Sequence, residues 1–174
     1  ILKEAVTRAA NLIRLKNPEL VEWKETAAMV GIGAVIFHDL FNQRIKNVDF
    51  SWDEVLNFDG ATSPYVQYTY ARAKRILRKA GSFPEIIEEI DCNGLTADSS
   101  YELIKVIGEY PNKVKEAAER YEPSVIARYT IDLSAAFNKF YHDCRILDAA
   151  EPVKSSLLLL VYTTQKILKD GLSL

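Results

Sequence analysis

The sequence predicts an all-α protein, a bundle of packed helices with no sheet. Apolar residues recur at the three- and four-residue spacing of helices in almost every segment, and no segment shows the strict alternation of a strand. The chain has 174 residues, of which 48% are hydrophobic and 26% charged, so it is globular and suits one compact domain of ordinary size or one and a half small ones. With only 7 Gly and 6 Pro, turn-rich all-β architectures are excluded.

The first third of the chain predicts two helical regions. Residues 2–16 place apolar side chains on one stripe with charges opposite, and Asn17-Pro18 ends this helix. Residues 20–44 form the second region. Gly31 and Gly33 interrupt its pattern, which indicates either a break or a close approach of two helices.

Capping signals place the helices that follow. Ser51 and Glu54 have the spacing of a capping box and predict a short helix that ends near Asn57. Ser63-Pro64 predicts a helix start with the Ser hydroxyl as its cap, and Gly81 is a candidate C-cap after Ala80. A predicted loop at 91–94 separates a short helix at 84–90 from the later helices, which cover residues 98–108, a segment opened by Pro111, 123–147 and 152–170.

Several classes of function lack the residues they need. Cys92 and Cys144 cannot make a disulfide framework, and with His38 and His142 they are too scattered for a zinc site. No nucleophile stands beside a base, so we expect neither catalytic nor metal-binding residues. No run of 18 apolar residues is present, so we expect no membrane span.

Charge is distributed unevenly along the chain. The net charge is −2, yet residues 61–81 carry five basic residues and no acidic one, whereas residues 1–60 carry seven basic and nine acidic residues. A bulk pI near 5.8 hides this local patch.

The basic segment 61–81 coincides with the predicted helix Pro64–Ala80. At 100° per residue its core stripe contains Val66, Tyr70, Ala73 and Leu77. A different face holds two aromatic and three basic residues, namely Tyr65, Tyr68, Arg72 and Lys79, with Arg75 beside them. Aromatic rings stack on unpaired bases and cations neutralise phosphates, so this face suits an RNA loop.

The predicted helix 123–147 repeats this arrangement more weakly. Asn138, Tyr141 and Arg145 share a flank and could stack on or hydrogen-bond base edges. Simpler interpretations of both helices stay open at this point. Tyrosines on a helix flank commonly close the edge of a core, and a basic run is commonly a solvated face.

Five stretches of the sequence resemble the second half of the arginyl-tRNA synthetases, a family of class I aminoacyl-tRNA synthetases. The most specific is the Tyr-x-Gln-Tyr-x-x-x-Arg pattern that ends at Arg72. The stretches are residues 30–35, 49–54, 60–72, 129–147 and 165–172, and the resemblance covers essentially the whole chain. A related helical bundle occurs in cysteinyl-tRNA synthetase, with which we do not associate this pattern.

The resemblance implies a parent enzyme that joins arginine to its tRNA with ATP in the cytoplasm. ATP and arginine would bind a catalytic domain whose His-x-Gly-His and Lys-Met-Ser-Lys type motifs are not in this sequence. We therefore expect a piece of a longer protein, inactive alone, monomeric and without a cofactor of its own. Residues 1–60 would form a helical connector after the catalytic domain, and residues 61–174 the anticodon-binding bundle.

The same resemblance assigns roles to individual residues. Tyr65, Tyr68, Arg72 and Tyr141 match family positions that contact the anticodon loop, and the expected partner is an arginine tRNA. Two alternatives remain. The chain could be a helical protein–protein interaction module without RNA binding, or residues 1–60 could make the main RNA contact.

Overall fold

The computed structural model describes residues 1–81 and 90–173, and within them every regular element is helical. This agrees with the predicted all-α class. The helices are α1 (Leu2–Lys16), α2 (Trp23–Phe41), α3 (Trp52–Val55), α4 (Ser63–Ala80), α5 (Asp98–Gly108), α6 (Tyr110–Arg120), α7 (Ser124–Asp143) and α8 (Val153–Gly171). A short 3-10 turn, Cys92–Gly94, lies in the predicted loop.

Helix α7 is at the centre of the larger part of the bundle. It packs against α2, α4, α5, α6 and α8, and α4 also packs against α8. Leu133, Phe137 and Phe140 of α7 are fully buried, and they share one core cluster with Leu103 of α5 and Val161 of α8. In the part of the chain that the structure describes, no helix is long and apolar enough to cross a membrane.

A second, smaller core lies where α1 packs on α2. Ala9, Ile13 and Ala27 are its buried members. Phe37, near the end of α2, belongs instead to the main cluster. Helix α2 therefore joins the two cores, which fixes α1 relative to the bundle.

Gly31 permits a close approach of α1 and α2. A Cβ on Gly31 would lie 2.6 Å from the backbone oxygen of Ala5 and 2.8 Å from the backbone nitrogen of Val6. Helix α2 is continuous through Gly31 and Gly33. Of the two possibilities that the sequence left open, the structure has the close approach and not the break.

Two predicted caps differ from those observed. Helix α4 begins at Ser63, one residue earlier than expected, and its cap is Thr62, whose Oγ1 accepts a hydrogen bond from the Tyr65 backbone N–H at 3.3 Å. Ser51 is the N-cap of α3, but its side chain makes no capping hydrogen bond. Gly81 ends α4 with φ of 77°, as the sequence predicted.

The predicted helix 123–147 is too long, because α7 ends at Asp143. Cys144 adopts an extended conformation, and Ile146, two residues later, is buried in the main core. The helix ends here, and burial of the apolar Ile146 side chain favours the observed path of the chain. Residues 82–89 lie outside the described residues, and with them all of the predicted helix 84–90 except Ile90, which is not helical.

The close approach at Gly31 predicts a large penalty for any side chain there. We expect Gly31→Ala to lower the free energy of unfolding by about 1–3 kcal/mol, because the new methyl group meets backbone that cannot rotate away. Urea unfolding measures the difference. Gly108→Ala is the matched control, since a Cβ there meets nothing within 4 Å. Equal stability of the two variants would contradict the packing.

The corrected cap of α4 gives a second prediction. Thr62→Ala should cost about 0.5–2 kcal/mol of folding free energy, because the Tyr65 N–H loses its acceptor. Ser51→Ala, at a cap whose side chain makes no capping bond, should change the free energy by less than about 0.5 kcal/mol. Thermal unfolding of both variants checks this. A larger loss from the Ser51 change would show that the caps are misassigned.

Candidate nucleic-acid interface

The buried face of α4 is rotated relative to the predicted stripe. Thr69 and Ile76 are buried together with Val66 and Ala73, whereas Tyr70 and Leu77 are only half-buried. The rotation brings the side of α4 that carries Tyr65 and Arg72 towards α7. As a result Tyr65 and Arg72 are half-buried, whereas Arg75 and Lys79 are exposed.

An open groove of about 580 Å³ runs between α4 and the end of α7. Its lining contains five of the seven predicted site residues, together with residues of the segment after α7. Tyr68, Arg72, Arg75 and Lys79 come from α4, and Tyr141 comes from α7. We call the surface formed by these five residues the α4–α7 groove.

Positive charge dominates the α4–α7 groove. Arg145 lines it as well, so the groove has four cationic side chains and one carboxylate, that of Asp148. Among the residues that the structure describes, no ion pair joins any of these four cations to an acidic side chain. The groove therefore presents uncompensated positive charge to a ligand.

Arg72 lies at the middle of the groove, against two aromatic rings. Its guanidinium carbon is 4.8 Å from the ring centre of Tyr68 and 5.0 Å from that of Tyr141. Such cation–π contacts contribute about 0.5–1 kcal/mol each at exposed sites. Tyr68 is 53% exposed and Tyr141 43% exposed, so both rings still offer surface to a ligand.

Asn138 lies beneath the groove, and its side-chain amide is hydrogen-bonded to side chains of α4. Its oxygen accepts a hydrogen bond from Arg72, and its nitrogen donates to the hydroxyl of Tyr65 and to Oγ1 of Thr69, at 3.1 Å in both cases. Tyr65 belongs to this network and does not line the groove. The structure thus brings together five of the predicted residues in the lining of the groove, whereas Tyr65 and Asn138 are half-buried outside that lining.

The groove contains two residues that the sequence analysis did not place in the site, His142 and Asp148. Arg145, which was predicted on a helix flank, lines the groove from the chain after α7. The His142 ring, whose Nδ1 lies 3.1 Å from Oδ1 of Asp143, holds the pKa of the Asp143 carboxyl below its ordinary value, so this carboxyl is anionic at neutral pH. These positions depend on where α7 ends, which the apolar pattern misplaced by four residues.

Fold and groove together define an all-helical bundle whose cationic groove is flanked by exposed aromatic rings. Residues 66–174 match the family described as the DALR anticodon binding domain. This matched segment begins in α4 and contains the whole α4–α7 groove. The chain belongs to the DALR anticodon-binding family.

The sequence relatives are arginine–tRNA ligases. The chain is 49% identical over 174 residues to the arginine–tRNA ligase of Enterococcus faecalis and 45% identical to that of Halothermothrix orenii. Each alignment covers 100% of this chain and 30% of the relative, so the chain spans about a third of the curated proteins that it matches.

Solved structures agree with this assignment. The arginyl-tRNA synthetase of Thermus thermophilus superimposes with a TM-score of 0.87 at 35% identity, over 99% of this chain and 30% of that one. The enzyme from Plasmodium falciparum gives a TM-score of 0.82 at 28% identity, over 99% of this chain and 31% of that one. The resemblance expected from the sequence motifs is confirmed.

Proposed function

We propose that the α4–α7 groove binds the anticodon loop of an arginine tRNA. The observation that carries this is the position of Arg72 against two exposed tyrosine rings in a groove of unpaired cations. Unpaired bases stack on aromatic rings and on guanidinium planes, and phosphates between them need cations. A double-stranded stem offers no free base faces, so a loop suits the groove better than a helix.

Some groove residues would stack on bases and others would contact phosphates. Tyr68 and Tyr141 would stack on bases, and Arg72 would lie in the same layer as the rings. Arg75 and Lys79, one and two turns further along α4, would contact the phosphates that follow. Tyr65 and Asn138 would act indirectly, through hydrogen bonds. Asn138 is hydrogen-bonded to Tyr65 and to Arg72.

We further propose that the chain is the tRNA-binding part of an arginine–tRNA ligase, an enzyme that attaches arginine to its tRNA with ATP. Its full-length relatives support this. Residues 1–60 would then be a connector to the catalytic domain and residues 61–174 the anticodon-binding bundle. The chain alone would be inactive, monomeric and cytoplasmic, with ATP and arginine bound elsewhere in the enzyme.

The alternatives receive less support. Nothing in the comparisons favours a protein-interaction module. Residues 1–60 are a weaker candidate for the main RNA contact, because acidic residues outnumber basic ones there by nine to seven. The basic segment 61–81 has five cations without a single acidic residue, which is the balance that a phosphate backbone requires.

Stacking on Tyr68 predicts a loss of affinity when the ring is removed. We expect Tyr68→Ala to weaken binding of an arginine-tRNA anticodon stem-loop by about 1–3 kcal/mol. Fluorescence anisotropy with a labelled hairpin measures it. Tyr101→Ala is the matched control, because Tyr101 is 63% exposed on α5 with Lys105 over its ring at 5.4 Å and does not line the groove. Equal losses in the two variants would contradict stacking at Tyr68.

Phosphate contact by Lys79 predicts a change in salt dependence. Lys79→Ala should reduce the slope of log K against log salt concentration by about 0.7, the value for one phosphate contact on a single strand. Lys74→Ala, an exposed lysine of α4 that does not line the groove, is the control and should leave the slope nearly unchanged. Identical slopes for the two variants would argue against a phosphate at Lys79.

A further inference from the structure

The hydrogen bonds of Asn138 fix which way round its amide lies. Arginine has only donors, so the atom of Asn138 that Arg72 contacts must be the amide oxygen. Independently, Thr69 Oγ1 donates to the backbone oxygen of Tyr65 at 2.9 Å, which leaves Oγ1 to accept from Asn138. The hydrogen bond at the amide oxygen and the one at the amide nitrogen therefore indicate the same orientation of the Asn138 side chain.

In this orientation the amide has no N–H group left for a ligand. One N–H donates to the Tyr65 hydroxyl and the other to Thr69, while the oxygen is held by Arg72. Thr69 is fully buried, so the network is attached to the core of the protein. A side chain whose amide makes three hydrogen bonds within its own protein is suited to hold a neighbouring side chain in place. It is poorly suited to hydrogen-bond the edge of a base.

From these contacts we propose that Asn138 is a positioning residue, which holds the Arg72 guanidinium against the rings of Tyr68 and Tyr141 before RNA arrives. The inference rests on the proposed function and refines it, since it takes Asn138 out of the set of base-contacting residues. An arginine fixed in advance does not lose its rotamer freedom on binding, which improves affinity without any new contact. Support of this kind keeps a binding group in its productive geometry.

The network also defines what Tyr65 offers a ligand. Because its hydroxyl oxygen accepts from Asn138, the phenol hydrogen is the part of this hydroxyl that points to other partners. Tyr65 is half-buried beside the groove. Its expected contribution to RNA binding is thus one donated hydrogen bond.

The test uses the 174-residue chain with three variants of Asn138. Asn138→Ala removes the acceptor of Arg72, and Asn138→Ser is a milder replacement should the alanine variant fail to fold. Asn138→Asp keeps an oxygen for Arg72 and serves as the rescue. Asn112→Ala, an exposed asparagine of α6 away from the groove, is the matched control.

The first readout is the side-chain Nε–H resonance of Arg72 in the ¹H–¹⁵N spectrum of the free protein, assigned by its loss in Arg72→Lys. Two neighbouring rings should displace this resonance from those of exposed arginines. We expect Asn138→Ala or Asn138→Ser to move it towards them, and Asn138→Asp and Asn112→Ala to leave it in place. An unchanged resonance in a folded alanine or serine variant overturns the proposal.

The second readout is affinity for the anticodon stem-loop. Asn138→Ala should weaken binding about three- to tenfold, the cost of ordering one long side chain, but should have no further effect in an Arg72→Ala background. Additive losses would mean that Asn138 contacts RNA directly, which overturns the positioning role. A wild-type chain that binds the hairpin no better than a fully paired duplex contradicts the proposed function, whereas the Arg72 resonance, recorded without RNA, tests the positioning separately.

Discussion

The packing of α4 against α7 is the constraint on which the rest of the site depends. Thr69 is buried at this contact and accepts a hydrogen bond from the amide of half-buried Asn138, so this bond joins the two helices directly beneath the groove. A polar group left without a hydrogen-bond partner in that place would cost about 1–3 kcal/mol of folding free energy. The hydrogen bond therefore favours the observed rotation of α4 about its axis over other rotations. That rotation determines which side chains of the basic segment face solvent and which face α7.

The main core and the smaller core between α1 and α2 have different roles in this arrangement. The main core, centred on Phe137 and Phe140, fixes α7 and thereby the floor of the groove. The smaller core between α1 and α2 requires the absence of a side chain at Gly31. Since Phe37 of α2 enters the main core, the first helices are held to the bundle by packing and not by the chain connection alone.

Much of the fold follows from local sequence signals. The period of the apolar residues and the Pro and Gly boundaries predict α1, α5 and α8 to within one or two residues. The end of α7 could not be predicted this way, because Cys144 and Leu147 continue the helical period while the burial of Ile146 decides the path of the chain. The cap at Thr62 was missed since Thr and Ser are neighbours with similar capping chemistry.

The residues of the candidate site could be predicted from the sequence, but the way in which they are arranged in space could not. A helical projection places Tyr65, Tyr68 and Arg72 on one face, and of these three only Tyr68 and Arg72 line the groove. It cannot show that Thr69 and Ile76 turn that face towards α7, because this depends on the shape of the neighbouring helices. The amide of Asn138 is polar in the sequence whether it reads a base or holds an arginine, and only its three partners in the fold distinguish the two.

The most direct test of the central claim compares two transcripts of one arginine tRNA that differ only in the anticodon. Binding of the chain to each is measured at two salt concentrations. If the α4–α7 groove binds anticodon bases, the altered transcript will bind more weakly at both salt concentrations. Added salt will weaken the binding of both transcripts, because they share the same phosphate contacts. Equal affinity for the two transcripts would contradict the account, because phosphate contacts alone do not depend on the bases.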